Sequence, residues 1–121
     1  MTLLLLSLAG GLGATLRFVT DATVVGRVRT AMPVGTLTVN ILGSFLLGLV
    51  TGAVTRAALP EPAAAIVGTG FCGGFTTFST ASVETARLWR ADRTGLAVGY
   101  AAVDLAGSLL AALLGMTLAH L

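Results

Sequence analysis

A short segment rich in glycine and hydroxyl side chains is the part of this sequence best suited to binding ions. Four glycines lie within seven residues and five hydroxyl side chains follow: Gly68, Gly70, Gly73 and Gly74, then Thr76, Thr77, Ser79, Thr80 and Ser82. Glycine weakens a helix by about 1 kcal/mol relative to alanine, so we expect Gly73 to Thr77 to be unwound. Freed carbonyls could hold a cation and freed N–H groups could attract an anion. The alternative is a continuous helix with Ser and Thr bonded to carbonyls one turn back.

Four polar residues lie inside the apolar stretches or at their ends: Asn40 and Asp104 inside, Arg17 and Glu84 at the ends. Unpaired polar groups are costly in hydrocarbon, so each is expected to have a partner or a function. Arg17 could snorkel to the headgroups or draw anions to a pore mouth, and Asn40 could join two helices or donate to a permeating ion. Glu84 could pair with an arginine or line a pore. Asp104 could be protonated, bond Ser108 one turn on, or act in permeation.

The chain that carries these residues is too apolar for a soluble domain. Of its 121 residues, 55% are hydrophobic and 10% are charged, against about 25% charged in ordinary soluble domains. This composition excludes a soluble globular domain and a disordered chain. One Cys and one His exclude an internal disulfide framework and an ordinary zinc site. The sequence shows no nucleophile–base pair that would indicate an enzyme. Its seven scattered arginines do not form a nucleic-acid surface.

Charge-free stretches at 1–16, 30–55, 62–83 and 94–121, the last interrupted only by Asp104, suit helices that cross a bilayer. We therefore predict an all-α integral membrane protein with one domain, 1–121, and four spans at roughly 2–22, 32–55, 62–87 and 94–118. The third helix is expected to break near its middle. The first helix lacks the charged start of a signal peptide, so we expect it to be retained. Gly48-x-x-x-Gly52 and Gly95-x-x-x-Gly99 have the spacing of close helix packing.

The arginines are distributed unevenly over the expected loops. The first and third loops share one face of the membrane and carry Arg27, Arg29, Arg90 and Arg93, whereas the opposite face has only Arg56. The positive-inside bias places the arginine-rich loops in the cytoplasm. A subunit that inserts in both orientations would have nearly balanced counts, so this pattern predicts insertion in one orientation.

Three strings of the sequence resemble the Fluc (CrcB) family of fluoride channels. They are Gly10-Gly11-x-Gly13-Ala14-x-x-Arg17, then Gly35-Thr36-Leu37-x-Val39-Asn40-x-x-Gly43-Ser44-Phe45, and the specific run at 70–80, GFCGGFTTFST. Gly107-Ser108 also fits, so the resemblance covers essentially the whole chain. It implies a four-helix subunit of an antiparallel dimer, with two narrow paths along the dimer interface. Fluoride would leave the cytoplasm through these paths across the inner (plasma) membrane.

The resemblance also implies roles for individual residues. The backbone carbonyls of Gly73 and Thr76 would hold a structural sodium ion, and Arg17 would lie at the vestibule. The residues carried over as pore lining are Asn40, Phe78, Ser79, Thr80, Thr36, Tyr100, Glu84 and Ser108. A fluoride pore must offer donors at short range to replace the ion's water. Amides and hydroxyls do this, and the positive edges of phenyl rings add weak attraction.

Two positions depart from the family's pattern. The second aromatic of Phe-Ser-Thr-Phe is Ala81, and Asp104 stands where the family often has Asn. Together with the uneven arginines, these two departures leave two candidates for the second subunit of the dimer, an identical copy and an oppositely oriented sister subunit. The predicted function is a fluoride-selective channel. The alternatives are a small proton-coupled multidrug exporter, which needs a carboxylate in the first span that is absent before Asp21, and a non-conducting partner subunit of a heterodimeric channel.

Overall fold

A computed structural model describes the whole chain, residues 1–121. As predicted, the regular elements of the chain are all helices, and they follow one another in this order: α1 (Thr2–Arg27), α2 (Val34–Thr55), α3 (Glu61–Ala64), a π-helix (Ala65–Cys72), α4 (Gly73–Phe75), α5 (Phe78–Arg90) and α6 (Thr94–Leu118). By length and composition, α1, α2 and α6 are each sufficient to cross a membrane. The chain is therefore a multi-pass membrane protein. The elements at 61–90 make up its interrupted third span.

The third span breaks at two extended residues. Residues 61–75 form its first half, and α5 forms its second half. Between them Thr76 has φ −80° and ψ 162°, and Thr77 has φ −152° and ψ 117°. The predicted unwinding is thus correct for Thr76 and Thr77 but wrong for residues 73–75, which remain helical, with Gly73 at φ −63° and ψ −37°.

The glycines before the break serve close packing rather than unwinding. A Cβ at Gly74 would collide with the carbonyl of Gly10, and one at Gly70 would lie 2.8 Å from the Leu6 carbonyl oxygen. Both carbonyls belong to α1, so the absence of side chains lets the first half of the third span lie directly on α1. Small residues are what permit such contact between helices in lipid. The cost in helix propensity is offset by that contact.

The longest helix–helix contact joins α2 and α6. A Cβ at Gly48 would collide with the Ala112 carbonyl, and one at Gly115 would collide with the Phe45 carbonyl. The predicted Gly48-x-x-x-Gly52 packing motif is therefore in use. The Gly95-x-x-x-Gly99 motif is not used within this chain, because nothing lies within 4 Å of a Cβ at either position.

The ends of α2 and α6 lie together on one side of the molecule. Arg56 Nη1 donates to the Ala119 carbonyl at 3.1 Å, and Thr55 Oγ1 lies 2.9 Å from His120 Nε2. A cation at a helix C-terminus is favoured by the helix dipole. The interior of the chain holds both apolar residues, such as Val39 and Tyr100 at 0% exposure, and polar ones. Polar burial is concentrated at the break.

Candidate ion site at the break in the third span

Asn40 holds the broken main chain in place. The Thr77 N–H donates to Asn40 Oδ1 at 2.8 Å, and Asn40 Nδ2 donates to the Thr77 carbonyl at 3.0 Å. The second N–H of the same amide is directed at Asp104, with Nδ2 3.2 Å from Oδ1 and 3.1 Å from Oδ2. Buried Asn40 therefore connects α2 to the third span and to α6, as the helix-joining interpretation of this residue requires.

Thr77 also starts the second half of the third span. Its Oγ1 accepts from the Thr80 N–H at 3.1 Å and donates to Thr80 Oγ1 at 3.0 Å. This is an N-cap, and threonine is among the residues that favour this position. Thr77 was not among the predicted site residues. The signal that could have identified it is the preference of threonine for the residue just before a helix begins.

The two halves of the span present opposite partial charges to the break. The C-terminal end of residues 61–75 offers carbonyl groups, and the first turn of α5 offers N–H groups with no partner inside that helix. The Gly73 carbonyl loses its usual i+4 donor, because the Thr77 N–H bonds Asn40 instead. The Thr76 carbonyl accepts a long hydrogen bond, 3.4 Å, from Arg17 Nη1. Arg17 thus points to the break.

Two pockets meet at Thr77. The larger is an open groove of about 690 Å³ between α2, α5 and α6, which also contains Ala81 and Asp104. The predicted site residues that line it are Asn40, Thr76, Phe78, Tyr100 and Ser108. The smaller, about 160 Å³, is lined by three other predicted residues, Arg17, Thr36 and Thr80, together with Asp21. The remaining predicted residues, Gly73, Ser79 and Glu84, line neither pocket.

Several polar groups in the groove and beside it have partners other than those expected. Asp104 bonds Asn40 and not Ser108, whose buried Oγ has no hydrogen-bond partner. Glu84 Oε2 accepts from the Tyr100 hydroxyl at 2.8 Å instead of pairing with an arginine. Tyr100 is fully buried and so ties Glu84 to the groove wall. An unpaired buried hydroxyl is uncommon in proteins, and the Ser108 hydroxyl is one.

Phe78 and Ala81 lie one helical turn apart and both face the groove. The Phe78 side chain is 88% exposed, whereas Ala81 is buried at 7%. The edge of such a phenyl ring carries a partial positive charge, which can attract an anion weakly. The arrangement thus combines a hydroxyl, an aromatic edge and freed backbone dipoles, which suits a small ion better than a covalent reaction.

The chain matches known proteins over nearly its whole length. The family model described as CrcB-like protein, Camphor Resistance (CrcB), matches residues 4–116. A protein of Cutibacterium acnes named fluoride-specific ion channel FluC 2 is 48% identical, covering 98% of this chain and 97% of its own length. Proteins of the same name from Rhodococcus jostii and Mycobacterium bovis are 44% and 45% identical, covering 98% and 94% of this chain and 98% and 87% of their own lengths.

These relatives share a name that describes a channel, which confirms the prediction of a transport protein rather than an enzyme. Both the matched length and the level of identity far exceed what a shared motif alone would give. The match extends from the first turns of α1 to the last turns of α6. This chain belongs to the CrcB family.

Proposed function

We propose that this chain is a subunit of a fluoride-selective channel that lets fluoride out of the cytoplasm across the inner membrane. The observation that carries the proposal is the break at Thr76 and Thr77, where a membrane span exposes backbone dipoles beside a groove. Irregular backbone at membrane depth is tolerated where it is buried in protein or lines a cavity. The names of the relatives supply the identity of the ion.

Fluoride is small and strongly hydrated, so a pore must replace its water with donors at short range. The groups suited to this are the unpartnered Ser108 hydroxyl, the exposed Phe78 ring edge and the N–H groups at the start of α5. In the single chain Asn40 uses both amide hydrogens internally, on Thr77 and Asp104. Asn40 therefore either donates to fluoride after its N–H leaves Asp104, or contributes by holding the main chain at the break.

We propose further that the carbonyls of Gly73 and Thr76 hold a sodium ion. Backbone carbonyls at the C-terminal end of a half-helix are suitable ligands for this cation. Two oxygens from one chain do not complete a coordination shell, so the site would need the same carbonyls from a second subunit. Arg17 bonds the Thr76 carbonyl from the α1 side, which leaves a second lone pair of that oxygen for an ion. A bound sodium ion would hold the two broken spans together.

The assembly we propose is an antiparallel dimer in which the groove of one subunit faces the other. Support comes from the open groove and from Phe78, whose 88% exposure leaves it without cover in the single chain. Ala81 occupies the place of the family's second ring, and the loop arginines favour one orientation. Both features favour pairing with an oppositely oriented sister subunit over pairing with an identical copy. The exporter alternative has no comparable support, because α1 contains no carboxylate before Asp21, near its C-terminal end.

Fluoride efflux from liposomes tests the proposal. The purified chain is reconstituted with an oppositely oriented sister subunit and, in parallel, alone. Measured with a fluoride electrode, the pair should release fluoride while retaining chloride. Phe78→Ile should reduce the rate at least about tenfold, since ring edges are lost without loss of packing inside the chain. Leu109→Ile, an exposed position outside both pockets, is the matched control and should leave the rate unchanged. Equal loss of fluoride and chloride would overturn the proposal. No loss from the chain alone, with loss restored by a sister subunit, would establish the heterodimer.

A further inference from the structure

Asp104 is the one carboxylate near the middle of α6, and it points at the amide that holds the break. Both of its oxygens lie within hydrogen-bond distance of Asn40 Nδ2, at 3.2 Å and 3.1 Å. The neighbouring hydroxyl that could have taken this carboxylate, Ser108, has no partner at all. The contact of Asp104 with Asn40 is therefore selective within the groove.

The orientation of the Asn40 amide matters because its two ends are not equivalent. In the observed orientation its oxygen accepts from the Thr77 N–H and its nitrogen donates to the Thr77 carbonyl. If the amide were flipped, its oxygen would face the Thr77 carbonyl and the Asp104 carboxylate, and its nitrogen would face an N–H. Every pairing would then be repulsive. A carboxylate beside the nitrogen thus penalises the flipped orientation and adds an acceptor for the second N–H.

We infer that Asp104 is a positioning residue for the ion path, acting through Asn40 to hold the broken main chain at Thr77. This inference rests on the proposed channel function. Thr77 lines both pockets, so a shift of its backbone alters the groove and the smaller cavity together. The acid need not touch the ion. What Asn40 requires at position 104 is an acceptor oxygen for its second N–H, and the negative charge of the carboxylate is dispensable.

Substitutions that separate geometry from charge test this role. Asp104→Asn keeps an acceptor oxygen and removes the charge, so fluoride efflux should stay within about threefold of wild type. Asp104→Ala leaves an Asn40 N–H unpaired and should slow efflux at least about tenfold, which corresponds to about 1.4 kcal/mol. Val103→Ala truncates an exposed side chain in the same turn and is the matched control. If Asp104→Ala does not fold, Asp104→Leu replaces it, since it has a similar size and no acceptor.

A double-substitution cycle on thermal unfolding in detergent provides the second readout. Asp104→Ala should lower the melting temperature in the wild-type background and add little further loss to Asn40→Ala, because coupled residues are not additive. The assignment is overturned if Asp104→Asn is as slow as Asp104→Ala, if Asp104→Ala conducts like wild type, or if the two losses of melting temperature simply add. Wild-type liposomes that retain fluoride even with the sister subunit present would instead overturn the proposed function, and the unfolding cycle would then decide the assignment alone.

Discussion

Thr77 concentrates much of the local structure of the site in one residue. Its N–H and carbonyl both bond to Asn40, and its hydroxyl caps α5. Each of these groups would be costly if left unpaired in hydrocarbon, where no water can replace the lost partner. The side chain of one asparagine and the hydroxyl of one threonine therefore make an interrupted span possible at this depth.

Removal of the cap should be measurable by itself. Thr77→Val has nearly the same shape but no hydroxyl to accept from the Thr80 N–H. We expect the free energy of unfolding to fall by about 1 kcal/mol, the usual worth of an N-cap. Thermal unfolding in detergent measures the loss, and Thr77→Ser, which keeps the hydroxyl, is the control. A valine variant as stable as wild type would show that the cap contributes nothing.

At the scale of elements, α1 and the first half of the third span are joined by direct backbone contact. Glycines on both helices meet carbonyls of the other, as at Gly74 against Gly10. The π-helix at Ala65–Cys72 lies within this contact. The contact holds the first half of the third span, whose C-terminal carbonyls form one side of the break.

Two glycines of the same helix provide a matched test of that contact. A Cβ at Gly13 would collide with the Phe71 carbonyl, whereas nothing lies within 4 Å of a Cβ at Gly11. Gly13→Ala should cost about 1–3 kcal/mol of unfolding free energy through overpacking. Gly11→Ala should be neutral or stabilising by up to about 1 kcal/mol, because alanine favours the helix. Equal melting temperatures for the two variants would contradict the close approach of the helices.

At the scale of the whole molecule, charge and exposure set how the chain sits in the membrane. The loop arginines lie at the ends of α1 and α5, while the ends of α2 and α6 share the opposite side with Arg56. Along the lipid-facing surface the side chains are large and apolar, as at Leu8 and Leu110. The groove beside α5 interrupts this apolar surface with polar side chains such as Asn40 and Asp104.

Side-specific labelling tests the orientation that these charges predict. With Cys72→Ala as background, Ala58→Cys and Ala91→Cys place one thiol in each of two opposite loops. A membrane-impermeant maleimide should label the first in intact spheroplasts and the second only after permeabilisation, because arginine-rich loops stay in the cytoplasm. Each variant serves as the control for the other. Equal labelling of both in intact spheroplasts would mean that the chain inserts in both orientations.

Some of the site was predictable from local sequence, and some was not. The glycine and threonine run correctly indicated an interruption of the third span, because both residue types weaken helices. The predicted segment began three residues too early, since Gly73 to Phe75 stay helical, and it correctly included Thr76 and Thr77. Helix propensity acts on each residue separately, whereas the break occurs where Asn40 reaches the main chain from α2. No pattern within residues 70–80 records the position of that side chain.

The apolar content and the placement of charges were enough to predict a helical membrane protein. The cost of moving a charge or an unpaired peptide group into hydrocarbon acts on each segment independently of its neighbours. Partner choice among the polar side chains, with Asp104 bonded to Asn40 and Glu84 bonded to Tyr100, emerged from the packed helices alone. Such pairs depend on the relative rotation and depth of α2, α5 and α6. A shift of a few tenths of an ångström between two helices changes which side chains reach hydrogen-bond distance, and the sequence of one helix does not determine that shift.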